Sequence, residues 1–183
     1  MRRLAVVAIG ALLCVVATAC ELSPFSGDDA EPLDLGPGGG VVRHVVDGDT
    51  VELELAGGVI ERVRLIGVDA PESVSRNDPV QCFGPEASTR LGELLPVGTL
   101  LRVERDAEAR DRYDRLLLYL YRADDDLFVN EWLLAEGLAD VMFFEPNTTF
   151  EVAFTRVRNQ ARAGGVGLWG ACDGPDQPLD PTG

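Results

Sequence analysis

Between residues 41 and 68 hydrophobic and polar positions alternate in short runs, as in strands that bury one face. Residues 41–46, Val-Val-Arg-His-Val-Val, end at Asp47-Gly48, a turn pair. Residues 50–55 then set Val51, Leu53 and Leu55 against Glu52 and Glu54. After Ala56-Gly57-Gly58 a third strand is predicted over 59–68. The period then lengthens. Residues 85–95 carry Ala87, Leu91, Leu94 and Leu95 at helical spacing and stop at Pro96-Val97-Gly98. Two more strands are expected at 100–105 and 116–121, and a short helix at 130–138. The last helix falls at 149–163, with Val152, Phe154 or Thr155, and Val157 turned inward and Gly164-Gly165 behind it.

Five short strands with interspersed helices predict an α+β fold. It is a five-stranded β-barrel of the oligonucleotide-binding type with about three packed α-helices. The flanks lack any such period. Residues 1–19 hold Arg2 and Arg3, an apolar run, and the small residues Ala17-Thr18-Ala19, the layout of an export signal. That run is shorter than the ~20 residues needed to span a bilayer. Cys20, at the cleavage point, resembles the lipobox cysteine of bacterial lipoproteins; cleavage after Ala19 and simple secretion is the alternative. Residues 20–40, with Gly36-Pro37-Gly38-Gly39-Gly40, read as a flexible tether, 41–172 as the domain, and 173–183 as a flexible tail. The expected place is the outer side of a bacterial membrane, anchored through an acylated Cys20, or free outside the cell. Cys14 would leave with the signal, so Cys82 and Cys172 remain, and an oxidising compartment favours their pairing.

Charge narrows the function. All 16 basic residues are Arg, and the net charge is −15. A protein that coats DNA by neutralising many phosphates should be basic. Any nucleic-acid chemistry must therefore come from a local site.

Three segments collect the groups such a site needs. In Val46-Asp47-Gly48-Asp49-Thr50 two carboxylates flank a glycine at a strand turn, where oxygens can approach a hard cation; alone, this is more often a solvated turn. In Arg64-Leu65-Ile66-Gly67-Val68-Asp69-Ala70-Pro71-Glu72 a strand delivers Arg64 and ends with two carboxylates across a Pro-fixed turn. A salt-bridge cluster would look the same, but so would a phosphoryl-transfer site. In Asp111-Arg112-Tyr113-Asp114-Arg115 two arginines bracket a tyrosine; alone, it reads as a charged hairpin tip.

Together, in this order and near these spacings, the segments resemble the thermonuclease (staphylococcal nuclease) family. The likeness continues through Cys82-Phe83-Gly84-Pro85-Glu86-Ala87, Val129-Asn130, Gly137-Leu138-Ala139 and Gly167-Leu168-Trp169. It implies a calcium-dependent nuclease that hydrolyses phosphodiester bonds of DNA and RNA, leaving 3′-phosphates. On that resemblance Asp49, Asp69 and the Ala70 carbonyl would hold Ca²⁺, with Asp47 in the outer shell. Glu72 would be the general base or orient the water. Arg64 and Arg115 would grip the scissile phosphate, Arg112 and Tyr113 would contact a neighbouring terminal phosphate, and Phe143 would help frame the nucleotide. A monomer is expected.

What the chain lacks agrees. His44 is the single histidine and is expected to be structural or exposed, so a Ser-His-Asp triad or His-ligated zinc is hard to build. Two other classes compete: a non-catalytic nucleic-acid- or protein-binding module on the same barrel, and an acidic lipoprotein that only buffers calcium. The first would lose members of the carboxylate–arginine set, and the second would not need the arginines. Two departures stand out. Asp114 replaces a usual glycine, and its charge beside Arg115 is expected to weaken substrate binding. Phe143 replaces a tyrosine.

Overall fold

The computed structural model describes residues 39–73, 79–172 and 174–179. The segment expected to be an export signal, Cys20 and most of the expected tether lie outside these residues. Among the described residues no helix is long and apolar enough to cross a membrane.

Strands β1 (Gly39–Asp47), β2 (Thr50–Leu55), β3 (Val59–Leu65), β5 (Leu100–Glu104) and β6 (Leu116–Arg122) close a barrel in the order β1-β2-β3-β6-β5. All neighbours are antiparallel except β3 and β6. The alternation explains the faces. Val51, Leu53, Val63, Leu65, Leu118 and Leu120 are buried together, while Glu52 and Glu54 are turned outward to pair with Arg62 and Arg43. Helix α1 (Gly84–Leu94), opened by Pro85 in its first turn, lays Ala87 and Leu91 on this core. Helix α2 (Val129–Ala135) packs on β6, and α3 (Glu151–Ala163) packs on α2, through Leu133, Leu134 and Phe154, while Arg90 of α1 lies over Trp132 of α2. His44, on β1, is exposed.

The expected third strand is interrupted. Gly67 has φ of 79°, and a Cβ there would lie 2.8 Å from the rings of Phe143 and Phe154. Only glycine fits such a crowded left-handed position. The chain therefore leaves the barrel after Leu65 and restarts as β4 (Gly67–Asp69), paired with β7 (Asp140–Met142) in a separate two-stranded sheet. The break is pinned by buried Asn130, which donates to the Ile66 carbonyl at 2.9 Å and accepts from the Leu120 N–H at 2.9 Å.

Other expectations need correction. Gly39 and Gly40 are strand, not tether, since they pair with Arg102 and Leu101 and close the barrel. Val152 is 86% exposed; the inward face of α3 carries Phe154 and Ala161, with Val157 packed partly against the core. The β7 strand and helix α4 (Leu168–Ala171) are too short for a period to reveal. Residues 174–179 are also no free tail. The Cys82 N–H donates to the Gln177 carbonyl at 2.7 Å, the Leu179 N–H to the Val80 carbonyl at 2.9 Å, and Gln81 forms a β-bridge with Pro178. Cys82 and Cys172 are disulfide-bonded, with Cα atoms 6.1 Å apart.

Candidate active site at the barrel mouth

The β1–β2 turn, the end of β3 and the end of β4 converge at one mouth of the barrel. Register forces this: Thr50 pairs with Arg64, so the Asp47–Asp49 turn sits beside the guanidinium that β3 delivers. The Arg64 Nη2 contacts Asp49 Oδ2 at 3.0 Å and Asp69 Oδ1 at 2.8 Å, and Nη1 donates to the carbonyls of Val68 at 2.6 Å and Leu65 at 3.1 Å. Asp49 is buried. It accepts from the Thr50 hydroxyl at 2.8 Å and the Ala70 N–H at 3.1 Å, so the turn after β4 is tied to the turn before β2. Asp47 accepts from Ser73 Oγ at 2.6 Å. Glu72 follows Pro71 and faces Asp47.

The carboxylates outnumber their cation here, and their proton affinities record it. Burial pushes Glu72 up to about 7, with the negative charges of Asp47, Asp49 and Asp69 adding to the rise. Burial also lifts Asp69 to about 6; Arg64 opposes that rise, while Asp49, Asp176 and Asp140 add to it. Among the described residues no group of three or more His, Cys, Asp or Glu side chains stands in metal-holding geometry. The set that the resemblance implies is smaller: two carboxylates, Asp49 and Asp69, and the Ala70 carbonyl. Oxygen donors alone, on one guanidinium nitrogen and crowded by further carboxylates, fit a hard divalent cation that would relieve their repulsion.

The opposite wall is the turn before β6, and Asp111 organises it. Its Oδ1 accepts from the N–H groups of Tyr113 at 2.9 Å and Arg115 at 3.0 Å, and its Oδ2 accepts from Arg115 Nε at 2.7 Å. Arg110 clasps Glu61 of β3 with two hydrogen bonds of 2.7 and 3.0 Å, which fixes the turn to the barrel. Tyr113 is exposed, with the guanidinium of Arg112 4.7 Å and that of Arg115 5.6 Å from its ring centre.

One cleft of about 680 Å³ joins the two walls and is lined by Asp47, Asp49, Arg64, Asp69, Glu72, Arg112, Tyr113 and Arg115, among others. Phe143 does not line it. Strand-like alternation sends Met142 and Phe144 into the cleft and packs Phe143 against Phe154 and the core, which corrects its expected substrate contact. Asp114 needs a second correction. Its φ is 65°, which suits the usual glycine, but its side chain is 88% exposed and its cation is Arg110 at 3.6 Å, not Arg115. Asp111, Ser73 and Gln81 carry no role in the motif reading. An Asp opening a turn, four residues before an arginine, is the signal that marks Asp111.

The profile of the family described as "Staphylococcal nuclease homologue" matches residues 62–171. This chain belongs to that family. It is 37% identical to a thermonuclease of Staphylococcus intermedius over 70% of this chain and 74% of that one. To a thermonuclease of Staphylococcus hyicus it is 36% identical, over 70% and 73%. With an SPbeta prophage-derived endonuclease of Bacillus subtilis (strain 168) it shares 38% identity over 69% of this chain and 42% of that one.

Proposed function

We propose that this protein is a nuclease that hydrolyses phosphodiester bonds of DNA and RNA with the help of a bound divalent cation, Ca²⁺ by its all-oxygen donor set. The observation that carries the reading is that Glu72, Asp49, Asp69, Arg64 and Arg115 line one cleft together. The relatives named as thermonucleases and an endonuclease support it.

Asp49, Asp69 and the Ala70 carbonyl would hold the cation, with Asp47 reaching it through water. When bound, it supplies positive charge to the phosphate oxygens. Glu72 orients a water and takes its proton. The water oxygen forms a bond to phosphorus, the bond to the 5′-oxygen breaks, and that oxygen collects a proton, leaving a 3′-phosphate. Arg64 and Arg115 stabilise the charge that builds on the remaining phosphate oxygens. Arg112 and Tyr113 hold the neighbouring nucleotide.

A digestion assay with and without chelator, on wild type and Glu72→Ala, tests this. Cleavage that stops with chelator and in the variant is expected; full activity in both would refute the reading. We also propose export and anchoring through acylated Cys20. Equal aqueous recovery of wild type and Cys20→Ala after detergent partitioning would favour simple secretion instead.

A further inference from the structure

Glu72 is gripped on its main chain by a residue from beyond the site. Its N–H donates to Gln81 Oε1 at 2.8 Å, and its carbonyl accepts from the Gln81 N–H at 2.9 Å. Among the described residues these are the only hydrogen bonds to the Glu72 backbone. The grip is tight on its far side as well. The Gly84 N–H donates to the Gln81 carbonyl at 3.0 Å, and a Cβ on Gly84 would come within 2.3 Å of the Glu72 carbonyl oxygen. The start of α1 therefore abuts Glu72 directly.

Gln81 is in turn held by the C-terminal segment. Its Nε2 donates to Asp176 Oδ1 at 3.3 Å, and the β-bridge to Pro178 lies between the Cys82–Gln177 and Val80–Leu179 hydrogen bonds. The Cys82–Cys172 disulfide fastens the start of that segment next to the residue it braces. Only an amide satisfies both ends of this side chain, since one end must accept from a backbone N–H and the other must donate to a carboxylate.

We infer that Gln81 is the positioning residue for Glu72, and that residues 174–179, fastened by the disulfide, act as a strap that holds Gln81 in place. The inference rests on the catalytic reading of Glu72 given above. The physical argument is geometric. Fixing both backbone groups of Glu72 fixes the origin of its side chain, and reacting groups displaced by about 1 Å lose on the order of a hundredfold in rate. Gln81 touches neither the arginines nor the metal carboxylates, so its loss should act on turnover and spare substrate binding.

Steady-state kinetics on a short single-stranded oligonucleotide at fixed Ca²⁺ and salt test the inference, after thiol titration and melting show each variant folded with its disulfide intact. Gln81→Leu should lower kcat about tenfold with KM within about twofold. Asp176→Gly, which keeps the positive φ comfortable, should lower kcat by about two- to threefold relative to Asp176→Asn, which removes the same charge near Asp69 but keeps an oxygen to accept from Gln81. Introduced into Glu72→Ala, Gln81→Leu should not reduce the residual rate further, because the group it positions is gone. Wild-type kcat in Gln81→Leu, or an equal loss in the Glu72→Ala background, would overturn the positioning role. Equal kcat in Asp176→Gly and Asp176→Asn beside a slow Gln81→Leu would overturn the strap. A Glu72→Ala enzyme as fast as wild type would remove the catalytic reading and this inference with it.

Discussion

Arg64 and Arg115 face the same cleft from supports of opposite kind. Arg64 stands on a barrel strand with its side chain 13% exposed, and both of its terminal nitrogens are engaged by Asp49, Asp69 and two main-chain carbonyls. Arg115 stands on a turn outside the sheet. Asp111 holds its Nε, while among the described residues Nη1 and Nη2 have no hydrogen-bond partner. One arginine belongs to the architecture of the mouth, the other is presented to whatever enters it. A buried ion network missing one member is destabilised by about 3–5 kcal/mol; the Arg115–Asp111 pair is half-buried as well, but it is one contact of one nitrogen, and Asp111 keeps two main-chain N–H donors without it. The two walls should therefore respond differently to the same kind of change.

The largest expected effect separates them at once. Arg64→Ala should lower cleavage by at least ~10³-fold and also destabilise the fold by about 3 kcal/mol, because Asp49 and Asp69 are left facing each other. Arg115→Ala should lower cleavage by about 10²–10³-fold with a smaller loss of stability, about 1–2 kcal/mol. Denaturant unfolding beside kinetics reads both, and equal losses of stability would erase the distinction. Next comes the cation. At a hundredfold excess over its Kd, Ca²⁺ should stabilise the protein by about 2.7 kcal/mol. This gain should survive Arg115→Ala and vanish in Asp49→Asn and Asp69→Asn, and thermal melts with and without Ca²⁺ would detect a cation that binds elsewhere.

Asp111→Ala should leave Arg115 in the sequence but unaimed, reducing kcat by about ten- to a hundredfold. The turn should also loosen in acid. Burial works against the Asp111 charge, but hydrogen bonds from Arg115 and Tyr113 outweigh it and hold the carboxyl below its ordinary range. Its contribution to stability is then complete above about pH 4 and lost as pH falls through the lower folded value. Amide exchange of the Tyr113 and Arg115 N–H groups on acidification follows it, and unchanged protection at pH 2 would be the contrary result. Smallest of all, Asp114→Gly should leave KM within about twofold, because the Asp114 carboxylate pairs with Arg110 and, at 88% exposure, its charge is screened by solvent. A severalfold drop in KM would restore its expected repulsion from the phosphate site.

The strand-borne wall was the more legible in the sequence. Val51 and Leu53 against Glu52 and Glu54 announce one buried face, and register then carries Arg64 to the Asp49 turn without further information. Legibility ends where tertiary packing decides. Nothing in the 59–68 run says that Gly67 must break it until Phe143 and Phe154 are known to lie against its Cα. Phe143 and Phe144 are chemically alike, and only strand parity sends one inward and the other to the cleft. Asp114 adjoins Arg115 in sequence, yet the turn brings it to Arg110. The segment 174–179 is bound through main-chain groups and one Asp, so its Gly- and Pro-rich composition carries no trace of the contact.

The disulfide spans 90 residues of chain, from the start of α1 to the end of α4. A single backbone cut anywhere between Cys82 and Cys172 therefore opens a ring instead of releasing a fragment. The turn that carries Arg115 lies inside that ring, as does the acidic Asp124-Asp125-Asp126 corner, both exposed enough to invite a protease. Nicked protein would keep its full mass on a gel run without reductant and part into two bands only after reduction. A cut at its most accessible loops would thus become a wound the remaining contacts hold closed.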